Sequence, residues 1–173
     1  TIAEANQLDK GLIGLSGQAR AMGLNVDVAK VAAQQLASDG LMTVSEAASG
    51  LKNLLAKGLD IPQAVQVMNN LRDAAAFGRQ GMLDFGQAVV GATEGIKNGI
   101  SATSDNAGVT ANRSIIYDRA GVSAEALSGK FKDHAEAAKF AAQFQRETNA
   151  QVGDAARLAQ TAAGEQAKFN SEI

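Results

Sequence analysis

Apolar residues recur at threes and fours along most of this chain, and glycine interrupts the pattern at Gly40, Gly58, Gly78 and Gly99. A period near 3.6 puts i, i+3, i+4 and i+7 on one face, and glycine accepts left-handed backbone at no steric cost. Together these dictate short amphipathic helices joined by tight turns. The breaks fall 18 to 21 residues apart, a cadence rather than a strict repeat. Short links set neighbouring helices antiparallel. The expected fold is therefore all-α: a compact bundle of short helices followed by a loop and a long C-terminal helix. Three regions follow: a short-helix bundle over 1–99, a polar loop segment over 100–122, and a long helical arm over 123–173.

The first helix covers 2–22, with Ile2, Ala5, Leu8, Leu12, Leu15, Ala19 and Met22 on its apolar face. Gly11, Gly14 and Gly17 weaken it by about 1 kcal/mol each relative to Ala. The second covers 25–38. Asn25 suits its N-cap, and Val28, Val31, Ala32 and Leu36 form its face. Thr43, followed three residues later by Glu46, is a capping box. The helix it opens presents Val44, Ala47, Ala48, Leu51, Leu54 and Leu55. Lys57-Gly58 closes that helix, a cation at the negative end and then a turn residue. Asp60 opens the fourth, with Pro62 in the first turn and Ile61, Ala64, Val65, Met68, Leu71 and Ala75 inward. The fifth, over 83–97, buries Phe85, Ala88, Val89, Ala92 and Ile96.

Residues 101–112 are polar and read as an irregular loop. Residues 113–119 suit a helical turn or a short extended piece, and Gly121 breaks them. The longest unbroken helical pattern then covers 128–169, about 60 Å if straight. Gly153 and Gly164 lie three turns apart on one face, where small side chains admit a second helix. A helix of that length and modest apolar content needs a partner to be stable.

Apolar residues make up 46% but aromatics only 4%, so the core must rest on Ala, Leu, Val, Ile and Met. The net charge is -2 and no basic block occurs, which argues against a nucleic-acid footprint. No Cys is present, which excludes disulfides and thiolate metal sites. The longest uncharged stretch, 61–71, falls well short of the roughly 20 apolar residues that span a bilayer. The chain begins at Thr1 and ends at Ile173 within a helical pattern, and it reads as a piece of something longer.

Catalysis needs a positioned base, nucleophile or metal. The one His, His134, lies in a charged helical stretch and reads as a solvated residue rather than a base or ligand. Gly11-Leu-Ile-Gly-Leu-Ser-Gly17 lacks the Lys-Ser/Thr ending of a phosphate loop and follows no strand. The pairs Glu4/Asp9 and Asp133/Glu136 read as solvated helix faces. Phe131, Phe140, Phe144 and Phe169 are spaced along one helical stretch and read as packing residues, since a groove of interleaved Arg and Lys, as base stacking needs, is not evident. Neither a catalytic residue, a cofactor site nor a metal site is expected.

The stretch 38–118 resembles the tail tape-measure proteins of long-tailed bacteriophages. The residues that carry the resemblance are Ser38-Asp39-Gly40-Leu41, then TVSEAASGLKNLLAKGLDIPQAVQVMNNLRDAAAFGRQ at 43–80, FGQAVVGATEGIKNG at 85–99 and SDNAGVTANRSI at 104–115. The block at 151–169 is similar to the stretch that follows in such proteins. The motif positions are Phe77, Gly78, Arg79, Gln80, Gly95, Lys97, Asn98, Gly99, Asp105, Asn106 and Gly108. The resemblance implies a structural, non-enzymatic protein made in the host cytoplasm and carried in the virion tail. It implies a homotrimer in the tube lumen that helps set tail length and leaves before DNA passes. Implied partners are the tube protein, the tail-tip, hub and distal tail proteins and an assembly chaperone, with membrane contact during infection only. The alternatives are a helical module docking on tail-tip or assembly proteins, and a membrane-active segment centred on 2–22.

Overall fold

The structure is a computed structural model and describes residues 2–79, 83–98, 113–127 and 129–161. It is built of helices and turns, with no strand among the described residues. The helices are α1 (Ile2–Ala21), α2 (Val26–Leu36), α3 (Val44–Ala56), α4 (Ile61–Gly78), α5 (Phe85–Asn98), α6 (Arg113–Ala120), α7 (His134–Glu147) and α8 (Asp154–Ala159). Short 3-10 turns at Ala124–Leu127 and Asn149–Gln151 flank α7. No helix of the described residues is long and apolar enough to cross a membrane.

The caps form where hydrogen-bonding chemistry places them. Asn25 accepts from the Val28 amide at 3.1 Å. Thr43 accepts from the Glu46 amide at 3.0 Å while the Glu46 carboxylate accepts from the Thr43 amide at 2.9 Å. Asp60 and Gln63 form a second reciprocal box at α4, beside Pro62. Each box satisfies two amides that a helix start leaves without partners. The apolar faces expected for α3 and α5 are buried, with Val44 partly so.

α4 is central. It packs against α2, α3, α5, α7 and α8. That position buries residues on nearly every side of it, from Ile61, Ala64 and Val67 to Ala74, Ala75 and Ala76. Asn70 and Arg72 are buried with them. Arg72 pairs with Asp39, and its guanidinium lies 5.7 Å from the Phe85 ring centre. The charge is therefore sheltered between a carboxylate and an aromatic face.

The helices have fixed directions. Gly11 of α1 lies against Ser45 and Gly14 against Lys52, so α1 and α3 run the same way. Gly86 lies against Glu46, and Asn53 donates to Thr93 at 3.0 Å, so α5 runs with them. α4 runs opposite, with Met68 filling the space at Gly50. His134 meets Asp60, the Gln66 amide donates to the Ala141 carbonyl at 2.7 Å, and the Ala155 amide donates to Asp73 at 3.0 Å. α7 thus follows α4 in its own direction, and α8 begins beside Asp73 toward the end of α4.

Four expectations need correction. The long C-terminal helix does not form: α7 stops at Glu147, a 3-10 turn follows, and Gly153 turns the chain at φ +88° before the short α8. Gly153 is therefore a turn residue and not a helix-contact position. Its left-handed backbone adds a further turn after α7 has ended, where sequence periodicity carries one helix through. On α2 the buried face is Ala29, Ala32, Ala33 and Leu36, while Val28 is 50% and Val31 48% exposed. Alanines face inward because α2 packs closely on α1, α3 and α4. Lys57, which closes α3 as expected, is 1% exposed. Glu136 is buried as well, since the Ser123 hydroxyl reaches it at 3.2 Å. The piece over 113–119, left open by sequence, is helical. The loop over 101–112 lies outside the described residues.

Candidate interaction surface and motif positions

Three open grooves lie on the α1, α2, α3 and α5 side of the molecule. The first, about 360 Å³, runs between α1 and α2 and is lined by Leu12, Ile13, Ser16, Arg20 and Lys30. The second, about 410 Å³, lies between α1 and α3, with Lys10 and Lys52 beside Gly11, Gly14, Ser45 and Ser49. The third, about 260 Å³, lies between α3 and α5 and shares Ser45 and Ser49. Glu46, Glu94, Gln87, Val90 and Gly91 complete it. Small side chains shape these grooves. A Cβ at Gly11 would stand 2.9 Å from the Ser45 hydroxyl, so glycine lets α1 lie close on α3.

The motif positions divide between structure and surface. Arg79 caps α4 from its C-terminal side, donating to the Ala76 carbonyl at 2.8 Å and the Ala75 carbonyl at 3.2 Å. Its Nε also reaches the Leu83 carbonyl at 3.2 Å and so ties the end of α4 to the start of α5. A cation there complements the helix dipole. Gly78 is the last residue of α4, and Phe77 beside it is 60% exposed. Gly95 is buried in α5, while Lys97 and Asn98 are exposed at its end. Gln80, Gly99, Asp105, Asn106, Gly108 and Gly164 lie outside the described residues. The blocks do meet: Asp39 pairs with Arg72, and Asn53 with Thr93.

Reactive groups are dispersed. His134 is exposed at the start of α7, with Nε2 2.8 Å from Asp60 Oδ2 and 3.3 Å from Gln63 Nε2. It leans on the α4 cap, and none of the three grooves contains it. No cluster of three or more His, Asp or Glu among the described residues could hold a metal ion. The Arg119 guanidinium, 2.7 Å from Glu147, together with the Gln143 amide, holds the Glu147 carboxyl below its ordinary value. That contribution is present above the ordinary carboxylate range and is lost as pH falls through the lowered value. It joins α6 to the end of α7.

Lys57 is a buried charge whose burial the sequence did not mark. Its ammonium donates to the Ala126 carbonyl and, at 2.6 Å, to the Gly129 carbonyl. The Tyr117 and Phe131 ring centres lie 5.8 and 5.5 Å away. The Lys57 carbonyl in turn accepts the Phe131 amide at 2.9 Å. One residue thus closes α3 and fastens the segment before α7 to it. Tyr117, Phe131, Phe140 and Phe144 pack ring to ring at 5.1 to 6.0 Å, as the packing reading of the phenylalanines expects. Phe169 lies outside the described residues. The signal for Lys57 was weak, because a lysine before glycine at a helix end suits a surface site equally well.

Comparisons with protein-family models, with curated proteins and with solved structures find no match to this chain.

Proposed function

We propose that this chain is a structural segment of a phage tail tape-measure protein that works through helix contacts and performs no bond chemistry. The observation that carries the reading is the order and spacing of the motif blocks at 38–80, 85–99 and 104–115. The fold agrees with it in kind. The first two blocks supply α3, α4 and α5, and the side chains joining them are caps and packing residues. The tube, the tail tip and an assembly chaperone are the partners on this reading, with three copies about the tube axis.

This segment is a folded head and not a ruler. Residues 25–98 turn back at Gly40 and Gly58 and again between α4 and α5, so they add little axial length. As one straight helix they would span about 110 Å. The test is an in-frame deletion of 25–98 in a phage that encodes the chain, with tails measured by electron microscopy. The reading expects tails of unchanged length or no tails at all. Tails shortened by about 110 Å would overturn the head assignment. Absence of the chain from purified particles would overturn the tail assignment itself.

The second reading, a docking module for a tail-tip or assembly protein, draws on Ile13, which is 70% exposed in the groove beside Arg20 and Lys30. Co-purification with such a protein without self-association would favour it.

A further inference from the structure

The ridge formed by Ser45 and Ser49 on α3 separates two grooves of opposite charge. Lys10 and Lys52 border the groove toward α1. Glu46 and Glu94 border the groove toward α5. Because α1, α3 and α5 run the same way, the heights of these charges can be compared. Lys52 reaches over Gly14, and Glu94 follows Thr93, which bonds Asn53. Lys52 and Glu94 therefore flank the Ser49 end of the ridge at one level. Lys10 and Glu46 flank the Ser45 end, where Gly11 and Gly86 approach α3. The Glu46 carboxylate is already bound by the Thr43 amide. Lys10, Lys52 and Glu94 are exposed, and among the described residues none of them enters an ion pair within the chain.

We infer that this face receives further copies of the same chain, arranged about an axis parallel to α3. Symmetry carries the argument. Rotation about such an axis keeps every residue at its own height and turns the basic side of one copy toward the acidic side of the next. Lys52 then meets Glu94 of the partner copy. An axis across α3 sets Lys against Lys and Glu against Glu, which like charges disfavour. The ridge residues are small, so two α3 helices approach closely enough for the flanking charges to reach each other. A polyanion such as nucleic acid suits the basic groove but is repelled by the acidic one beside it. The inference stands on the register of the three helices and holds whether or not the chain belongs to a tail.

The test is sedimentation of the full chain at low and high salt. Self-association that weakens as salt rises is expected, because exposed ion pairs are screened. Lys52→Glu and Glu94→Lys should each raise the dissociation constant about tenfold or more, and the double exchange should restore it. Thermal melts verify that each variant folds. The chain has no Cys, so Ser49→Cys supplies a single thiol. It should oxidise to a disulfide with its own copy, and Ser45→Cys should do the same. A chain that stays monomeric at every concentration overturns the inference. So does association indifferent to the charge exchange. So do disulfides that form only when Ser45→Cys and Ser49→Cys chains are mixed, the mark of antiparallel pairing.

Discussion

At the scale of single residues, burial decides what a charge does. Lys57 occupies a place where sequence suits a solvated cation near a helix end, and there its removal would cost well under 0.5 kcal/mol. In the structure it donates hydrogen bonds to the Ala126 and Gly129 carbonyls, distant in sequence. Lys57→Met keeps the apolar stem and leaves the Ala126 and Gly129 carbonyls without that donor. It should lower stability by about 2–4 kcal/mol in urea unfolding. A change below about 0.5 kcal/mol would show that the ammonium lies in water. The capping residues were legible because their chemistry is local: Thr43, Glu46 and Asp60 act on amides three residues away. Lys57 and Arg72 were not, because their partners are distant in sequence and no local pattern announces them.

At the scale of helices, the periodicity of α3 and α5 marked their buried faces well, since leucine and valine outline one stripe. On α2 it chose the valines, and alanine was buried instead. The period of 3.6 fixes which residues share a face, but close packing decides which face turns inward. Glycine was read as weakness at Gly11, Gly14 and Gly17 and as a helix-contact position at Gly153, yet its role differs by site. At Gly17 nothing stands within 4 Å of an added Cβ. Gly17→Ala should raise stability by about 0.5–1 kcal/mol through helix propensity alone. Gly153 reverses the sign. Its φ of +88° makes Gly153→Ala destabilising by about 1 kcal/mol or more, measured by thermal melting. If one helix ran unbroken past it, the same change would stabilise by about 1 kcal/mol. The break was invisible in sequence because alanine-rich flanks sustain a helical pattern on both sides.

At the scale of the whole molecule, the all-α class was legible from composition and period. The way the later helices lie against α4 was not. Residues 113–161 fold back on it through Asp60, Gln66 and Asp73, and their aromatic rings join the common core. Residues 1–98 alone would leave that side of α4 uncovered. A chain ending at 98 should therefore lose its cooperative melt and bind a hydrophobic dye. A transition as sharp and as high as that of the full chain would mean that the first five helices suffice. Of the described motif positions, Arg79 proved to be a cap and Gly95 a packing residue, while Phe77, Gly78, Lys97 and Asn98 are exposed. Sequence could name these positions, but only the packing around α4 and α5 separates them.

The common heading of α4 and α7 bears on how the molecule is threaded into anything larger. α1 climbs beside α3, and α8 begins beside Asp73, toward the far end of α4. Ile2 and the start of α8 therefore lie toward the same pole. A polypeptide joined at both would enter and depart through one doorway, and the folded part would hang from it like a tassel from a cord.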